Sequence, residues 1–100
     1  MTYLIKLRKD AEFDLSEAYK YYEEIRPGLG KDFILCVEQA LNKIQQNPRH
    51  YKIILKNLRK TPVPRFPYRI YYLIENEMIF VLAVFHIRKD PTNWLKRLRS

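Results

Sequence analysis

The chain predicts an α+β fold of order β-α-α-β-β-β, a helical hairpin packed on a small, antiparallel-dominated four-stranded sheet. Three observations lead there. Two apolar runs rich in β-branched and aromatic residues, 70–74 and 78–86, flank the polar Glu75-Asn76-Glu77, which is the pattern of strand, turn and strand. Ahead of them, apolar residues recur at steps of three and four in two stretches separated by Pro27-Gly28-Leu29-Gly30, the mark of two amphipathic helices and the turn between them. Residues 2–8 alternate, as a strand with one buried face does. Two helices with strands before and after them make one layered unit.

One hundred residues are enough for a single core and no second one, so the whole chain, 1–100, reads as one domain. Nearly half the residues are hydrophobic and only two are glycine, which argues against disorder. The longest apolar run, 78–85, is less than half a membrane span, so no membrane partner is expected. The N-terminal MTYLIKLRKD lacks the long apolar core and small-residue cleavage site of a secretory signal. Cys36 is alone, which rules out an internal disulfide and makes a cytoplasmic setting the expectation. It reads as a small helix residue rather than a reactive thiol. His50 and His86 are the only histidines, and nothing has metal-ligand spacing, so neither metal nor other cofactor is expected.

Taken in order, Tyr3, Ile5 and Leu7 form the buried side of the first strand. From Asp10 the period changes, and Ala11, Leu15, Ala18, Tyr22 and Ile25 make a helical stripe widened by Tyr19, with the acids on the far side. Asp10 is placed to be the N-cap, and Asp14 and the nearby glutamates suit the positive end of the helix dipole. A second helix, 31–46, carries Ile34, Val37, Leu41 and Ile44 on one stripe, beside Phe33 and Ala40. Asn47-Pro48 ends it, because the residue before proline is pushed out of the α region. So short a connection makes the helices an antiparallel hairpin whose joint stripe covers the sheet.

Residues 51–55 fit either a strand or a loop with apolar anchors. Residues 58–65 carry Pro62 and Pro64, whose missing N–H groups fall on one side, so this strand is expected at an edge with that side unpaired. Arg59, Lys60 and Arg65 would blunt that edge. The arms 70–74 and 78–86 do not alternate cleanly, which places them mid-sheet. Their turn lacks Asn-Gly or Asp-Gly, so a loop of three or more residues is expected. Residues 92–100 are a short basic tail in which Trp94, Leu95 and Leu98 can dock.

Charge carries the functional signal. The net charge is +8, yet Asp10, Glu12, Asp14, Glu17, Glu23 and Glu24 place six of the eleven acids near the N-terminus. From Gln39 to Ile74 there is no acid, while Lys43, Arg49, Lys52, Lys56, Arg59, Lys60, Arg65 and Arg69 all fall there. A solvated surface accounts for a few lysines but poorly for an acid-free run of this length. A polyanionic partner, nucleic acid or acidic protein, accounts for it better. Arg59, Lys60, Arg65, Lys89, Trp94, Lys96 and Arg97 are the candidate contacts. An antiparallel hairpin also brings Arg65 and Arg69 to the same end of the apolar platform as His86, Arg88 and Lys89.

The segments DLSEAYKYYEEIRPGLG, RFPYRIYYLIE and VLAVFHIRKDP, in that order over nearly the whole chain, resemble the RelE/ParE family of bacterial type II toxins. PGLG, FPYRIYY and HIRKDP together carry the resemblance. It implies the fold read above and a growth-arresting toxin encoded beside a labile antitoxin. The antitoxin's acidic C-terminal part would wrap the toxin in a hetero-oligomer, and a basic toxin suits such a partner. RelE-like members cleave mRNA on the ribosome without metal, the 2′-hydroxyl attacking the adjacent phosphate, which requires proton transfer and cations on the phosphate. Arg69 and Arg88 match arginines of those nucleases, and His86 is the candidate acid or base. Trp94 occupies the neighbourhood of their C-terminal tyrosine or histidine. For His86, closing a strand by hydrogen bonding is an equal reading. ParE-like members poison DNA gyrase instead, and His86-Ile87-Arg88-Lys89-Asp90 is more similar to their pattern. The ParE-like reading is preferred, and whether the protein is an enzyme, an mRNA endoribonuclease, stays open. A non-toxic nucleic-acid-binding module stacking bases on Tyr68-Arg69-Ile70-Tyr71-Tyr72 ranks last, since tyrosines at that density in an apolar strand usually belong to a core.

Overall fold

The computed structural model describes residues 3–90 and 92–99, with the backbone alone for Trp94 and Arg99. The elements are β1 (Leu4–Leu7), α1 (Lys9–Ile25), α2 (Leu29–Gln46), β2 (Ile53–Leu55), β3 (Leu58–Pro62), β4 (Tyr68–Glu75), β5 (Met78–His86) and α3 (Asn93–Arg99). The strands form one sheet in the order β1-β5-β4-β3-β2, with β1 parallel to β5 and every other pair antiparallel. The expected β-α-α-β-β-β order therefore holds with two additions: residues 53–55 pair with β3 and make the sheet five-stranded, and the basic tail forms the short helix α3.

Both faces of the sheet are covered. On one, Ala11, Ala18 and Tyr22 of α1 and Phe33, Val37 and Ile44 of α2 pack with Ile70, Tyr72, Ile79 and Val81. On the other, Leu58, Tyr71, Leu73, Leu82 and Phe85 form a second cluster against which Ile54 and Leu98 of α3 pack. This is why β4 and β5 read as nearly continuous apolar runs. Ile25, expected on the α1 stripe, is exposed in the last turn.

The helix termini depart from the sequence reading. Arg8 rather than Asp10 occupies the N-cap of α1, without a side-chain cap bond, and Asp10 and Glu12 lie in the first turn. There they still favour the positive end of the dipole. The shift arises because β1 runs straight into the helix: the Arg8 N–H donates to Val81 O (3.0 Å) and Arg8 O accepts from the Glu12 N–H (3.0 Å). At the start of α2 the Glu23 carboxylate of α1 accepts from the N–H groups of Gly28 (3.0 Å) and Gly30 (2.9 Å), satisfying donors that a helix leaves orphaned. Gly28 turns the chain at φ 91°. A Cβ at Gly30 would lie 2.6 Å from both Tyr19 O and Glu23 Cγ, so glycine here lets the two helices meet.

Two strand expectations are corrected. β3 is not an edge strand, since β2 pairs with it at Leu58 and Arg59. The proline argument still applies further along. The Val63 N–H donates to Tyr68 O (2.9 Å), so positions 62 and 64 face away from β4, beyond the end of β2. The β4–β5 turn is also tighter than expected. Glu75 pairs with Met78, leaving Asn76-Glu77 as a two-residue turn, and Asn76 takes the left-handed conformation at φ 58°, which asparagine tolerates better than most residues. Further along β5, Tyr71 pairs with Ala83 but Tyr72 with Val81. Leu82 is thus the extra residue of a bulge, and such bulges re-aim the side chains beyond them.

Candidate functional site

β1 pairs with β5 only as far as Val81. Past that point the outer edge of β5 carries backbone groups that need partners. Asp14 of α1 and Arg97 of α3 supply them. The Val84 N–H donates to Asp14 Oδ2 (3.0 Å), and Arg97 Nη1 donates to Leu82 O (3.2 Å). Arg97 also grips the Asp14 carboxylate with both terminal nitrogens, Nη2 donating to Oδ1 at 3.0 Å and Nη1 to Oδ2. Its guanidinium lies 4.5 Å from the centre of the Phe85 ring, and Asp10 adds a looser contact at 3.9 Å. Arg97, read from the sequence as a contact for a target, therefore spends its charge inside the fold and mounts α3 on the sheet.

The three groups proposed for nuclease chemistry are not brought together. Tyr68 pairs with His86 and Arg69 with Phe85. The rings of His86 and Tyr68 meet edge-on at 5.3 Å, on the face that α1 and α2 cover. Arg69 is one residue on from Tyr68 and so points to the opposite face, the side of Phe85 and α3. Arg88 is exposed in the turn after β5, where its backbone N–H donates to His86 Nδ1 (3.0 Å). With Nδ1 so used, the neutral imidazole carries its proton on Nε2. The basic side chains share one end of the platform, as expected, but not one side of it.

On the α3 face, Lys60 pairs with Tyr71 and Pro62 with Arg69. The Tyr71 and Phe85 rings lie 5.7 Å apart, and the Lys89 ammonium sits 4.4 Å from the Phe85 centre. Lys60, Arg69 and Lys89 thus surround an aromatic pair. Arg59 faces the other way, and its Nη1 donates to Tyr51 O (2.6 Å) and Arg49 O (3.2 Å), pinning the approach to β2. Arg65 is exposed at φ 68° beyond the end of β3, and Lys96 is exposed on α3. The Trp94 side chain lies outside the described residues. Tyr71 and Tyr72 are buried, and the Tyr72 hydroxyl donates to Pro48 O (2.6 Å), so neither offers the open ring face that base stacking needs. Among the described residues no three His, Cys, Asp or Glu side chains are grouped to hold a metal ion.

Comparison with known proteins identifies the family. The family model described as ParE toxin of type II toxin-antitoxin system, parDE, matches residues 5–91. The chain belongs to the ParE toxin family. Toxin ParE2 of Mycobacterium tuberculosis is 29% identical over 92 residues, spanning 91% of this chain and 88% of its own. Among solved structures, a chain of the chromosomal ParDE system from P. aeruginosa superposes with a TM-score of 0.76 at 16% identity, covering 85% of this chain and 96% of that one. A double mutant of E. coli RelE in the free state superposes at 0.61 with 15% identity, over 98% and 99%. A chain of the RelBE2 toxin–antitoxin complex of Mycobacterium tuberculosis also reaches 0.61, at 21% identity, over 86% and 99%. At these identities the structural likenesses show a shared fold.

This ParE-family chain carries one further feature that the sequence reading missed. Between α1 and the far end of β4–β5 runs a groove of about 260 Å³, walled by Phe13, Glu17 and Tyr21 and floored by Tyr68 and His86, with Lys89 at its end. Phe13 and Tyr21 stand off the core stripe of α1, and two aromatics on the polar side of a helix were the available signal. Burial is the main cause that pushes the Tyr68 hydroxyl up to about 12, with Tyr22 and Tyr21 adding to it. The phenol in the groove floor is therefore a neutral hydrogen-bonding group at physiological pH. No helix of the described residues is long and apolar enough to cross a membrane.

Proposed function

We propose that this chain is the toxin of a two-gene type II system, that it arrests growth by acting on DNA gyrase, and that an acidic antitoxin holds it silent in a hetero-oligomer. The observation that carries the choice of target is the division of Arg69 and His86 between opposite faces of the sheet. Transesterification at a phosphate requires a proton acceptor, a proton donor and cations around the same few atoms. Side chains on opposite faces cannot both reach them. His86 Nδ1 already accepts the Arg88 N–H, which commits that ring nitrogen to the turn after β5. Poisoning a protein target asks only for a binding surface, and a net charge of +8 supports association with acidic partners.

One observation favours ribosome-dependent mRNA cleavage instead. Lys60, Arg69 and Lys89 lie around the Tyr71–Phe85 pair on a single face, an arrangement suited to stabilising phosphate charge. The experiment sets the two readings against each other. Purified protein is assayed for inhibition of gyrase supercoiling and for cuts in translated mRNA, as wild type and as Arg69→Ala. Inhibited supercoiling with intact mRNA is the expected result. Cuts that disappear in Arg69→Ala, with supercoiling untouched, would overturn the gyrase reading.

A further inference from the structure

The fold sorts the cations of the acid-free stretch and the tail by what they touch. Arg59 donates to the carbonyls of Tyr51 and Arg49, and Arg97 is held by Asp14, so both serve the fold. Lys60, Arg69 and Lys89 do not. Lys60 pairs with Tyr71 across β3–β4 and Arg69 with Pro62, which makes the two cations diagonal neighbours, their Cβ atoms roughly 7–8 Å apart. Arg69 also pairs with Phe85 across β4–β5, and the Lys89 ammonium lies 4.4 Å from the centre of that ring. Among the described residues, no carboxylate lies within ion-pair distance of any of the three. Glu75 shares the strand face of Arg69 but lies at the far end of β4, roughly 20 Å away. Asp90 is turned onto Thr92, whose N–H and hydroxyl both donate to it at 2.9 Å.

The chemistry of this patch selects its ligand. Tyr71 and Phe85, the residues between the cations, are only 5% and 3% exposed. A protein partner draws most of its binding energy from large apolar anchors, and single-stranded nucleic acid draws it from bases stacked on open rings. The patch offers neither. It offers long cationic side chains without counter-charge on a rigid sheet, which is what contacts to a phosphodiester backbone require. A duplex presents that backbone with its bases already stacked, and asks nothing more of the surface. We propose that Lys60, Arg69 and Lys89 form a site for the phosphate backbone of duplex DNA, bound without regard to sequence. The choice of DNA rests on the gyrase reading above, because such a site lets the toxin hold the DNA on which its protein target works.

The test is fluorescence anisotropy of a short labelled DNA duplex with the full-length protein, without gyrase, across a range of salt concentrations. Lys60→Gln, Arg69→Gln and Lys89→Gln together should weaken binding by about tenfold or more at low salt. The slope of log K against log salt should flatten by roughly 2–3, since each neutralised phosphate contributes about 0.9. Lys20→Gln, Lys31→Gln and Lys43→Gln together remove the same charge from exposed positions of α1 and α2. They should change the affinity by less than about threefold, because charges away from the site are screened. Circular dichroism checks folding, and if Arg69→Gln unfolds the protein, Lys60→Gln with Lys89→Gln, both at exposed positions, should still flatten the slope by roughly 2. Equal losses in the two triple variants would overturn the site, since overall charge alone would then hold the DNA. Tighter binding of RNA, single-stranded or duplex, or equal competition by poly-glutamate, would overturn it in favour of an RNA or an acidic protein. Binding of duplex DNA through these residues with supercoiling untouched would sink the gyrase reading and keep the site. Inhibited supercoiling by a protein that does not bind duplex DNA would sink the site and keep the gyrase reading.

Discussion

Asp14 of α1 and Arg97 of α3, 83 residues apart in the chain, close on one another through paired guanidinium–carboxylate hydrogen bonds and together complete the open edge of β5. Their side chains are only 8% and 18% exposed. A pair so placed contributes less by its mutual attraction than it costs to break, because the remaining charge is left without compensation. Arg97→Met should therefore destabilise the protein by roughly 3 kcal/mol, with the amides of α3 losing their protection from hydrogen exchange. Asp14→Asn keeps an acceptor for the Val84 N–H and should cost less. Urea midpoints that coincide for wild type and Arg97→Met would show that α3 is held by Leu98 and its apolar contacts alone.

The helical hairpin depends on three residues in and around its turn. At Gly30 an added Cβ would meet a backbone carbonyl at 2.6 Å, and overpacking of that kind costs about 1–3 kcal/mol. Gly28 has open space around it but sits at φ 91°, where an L side chain costs roughly 1–2 kcal/mol. Gly30→Ala should accordingly be the more damaging substitution, read as the larger fall in urea midpoint. Glu23→Gln should cost about 1 kcal/mol by removing the charge that caps α2. The reverse order for the two glycines would mean that α1 and α2 separate readily at that point.

How much of this was legible in the sequence differs by element. The helices and the β4–β5 hairpin were, because each carries a clean change of hydrophobic period. β2 was not, since three apolar residues show no alternation, and Arg59 fixes their approach from another strand. The tight turn was hidden because Asn76, not glycine, takes the left-handed position. The faces of Arg69 and His86 were hidden for a sharper reason. Near the turn, Glu75 pairs with Met78, and that register continued unbroken would put Arg69 and His86 on the same face. The bulge at Leu82 adds one residue, and a one-residue slip exchanges the faces. Nothing local announces such a bulge. Arg97 looked like one more cation of a basic tail because its acid lies at the other end of the chain.

Arg59 and Lys60 are neighbours with different duties. Arg59 donates to the carbonyls of Tyr51 and Arg49, and hydrogen bonds from a charged donor contribute about 1.5–3 kcal/mol when partly shielded from water. Arg59→Gln should lower stability by roughly 1–2 kcal/mol and loosen β2, visible as faster exchange at residues 53–55. Lys60→Gln and Arg65→Gln, both at exposed positions, should stay within about 0.5 kcal/mol of the wild type. The contrast separates structure from binding within one basic stretch. Equal and negligible effects at all three positions would mean that the Arg59 hydrogen bonds contribute nothing to stability.

Tyr72 makes alkaline stability a direct readout of the core. Its ring is fully buried and its hydroxyl donates to Pro48 O. Burial pushes that hydroxyl from 10.0 up to about 12, against the opposing pull of Arg59. Tyr68 rises to about 12 in the same direction. In the unfolded chain both phenols ionise near 10. Below that pH both states hold the protons and stability is complete. Between pH 10 and pH 12 only the unfolded state releases them, so stability must fall as pH rises, and the loss levels off above the folded value. A gap of this size corresponds to at most roughly 2–3 kcal/mol for Tyr72. Tyr72→Phe should cost about 1 kcal/mol at neutral pH through the lost hydrogen bond, yet should decline less steeply across the alkaline range. The measurement is the urea midpoint against pH for both proteins, with tyrosinate absorbance followed alongside. Parallel profiles from pH 10 to pH 12 would show that the Tyr72 hydroxyl ionises as easily in the folded protein as in the unfolded chain, and that the interior between α2 and β4 is open to water.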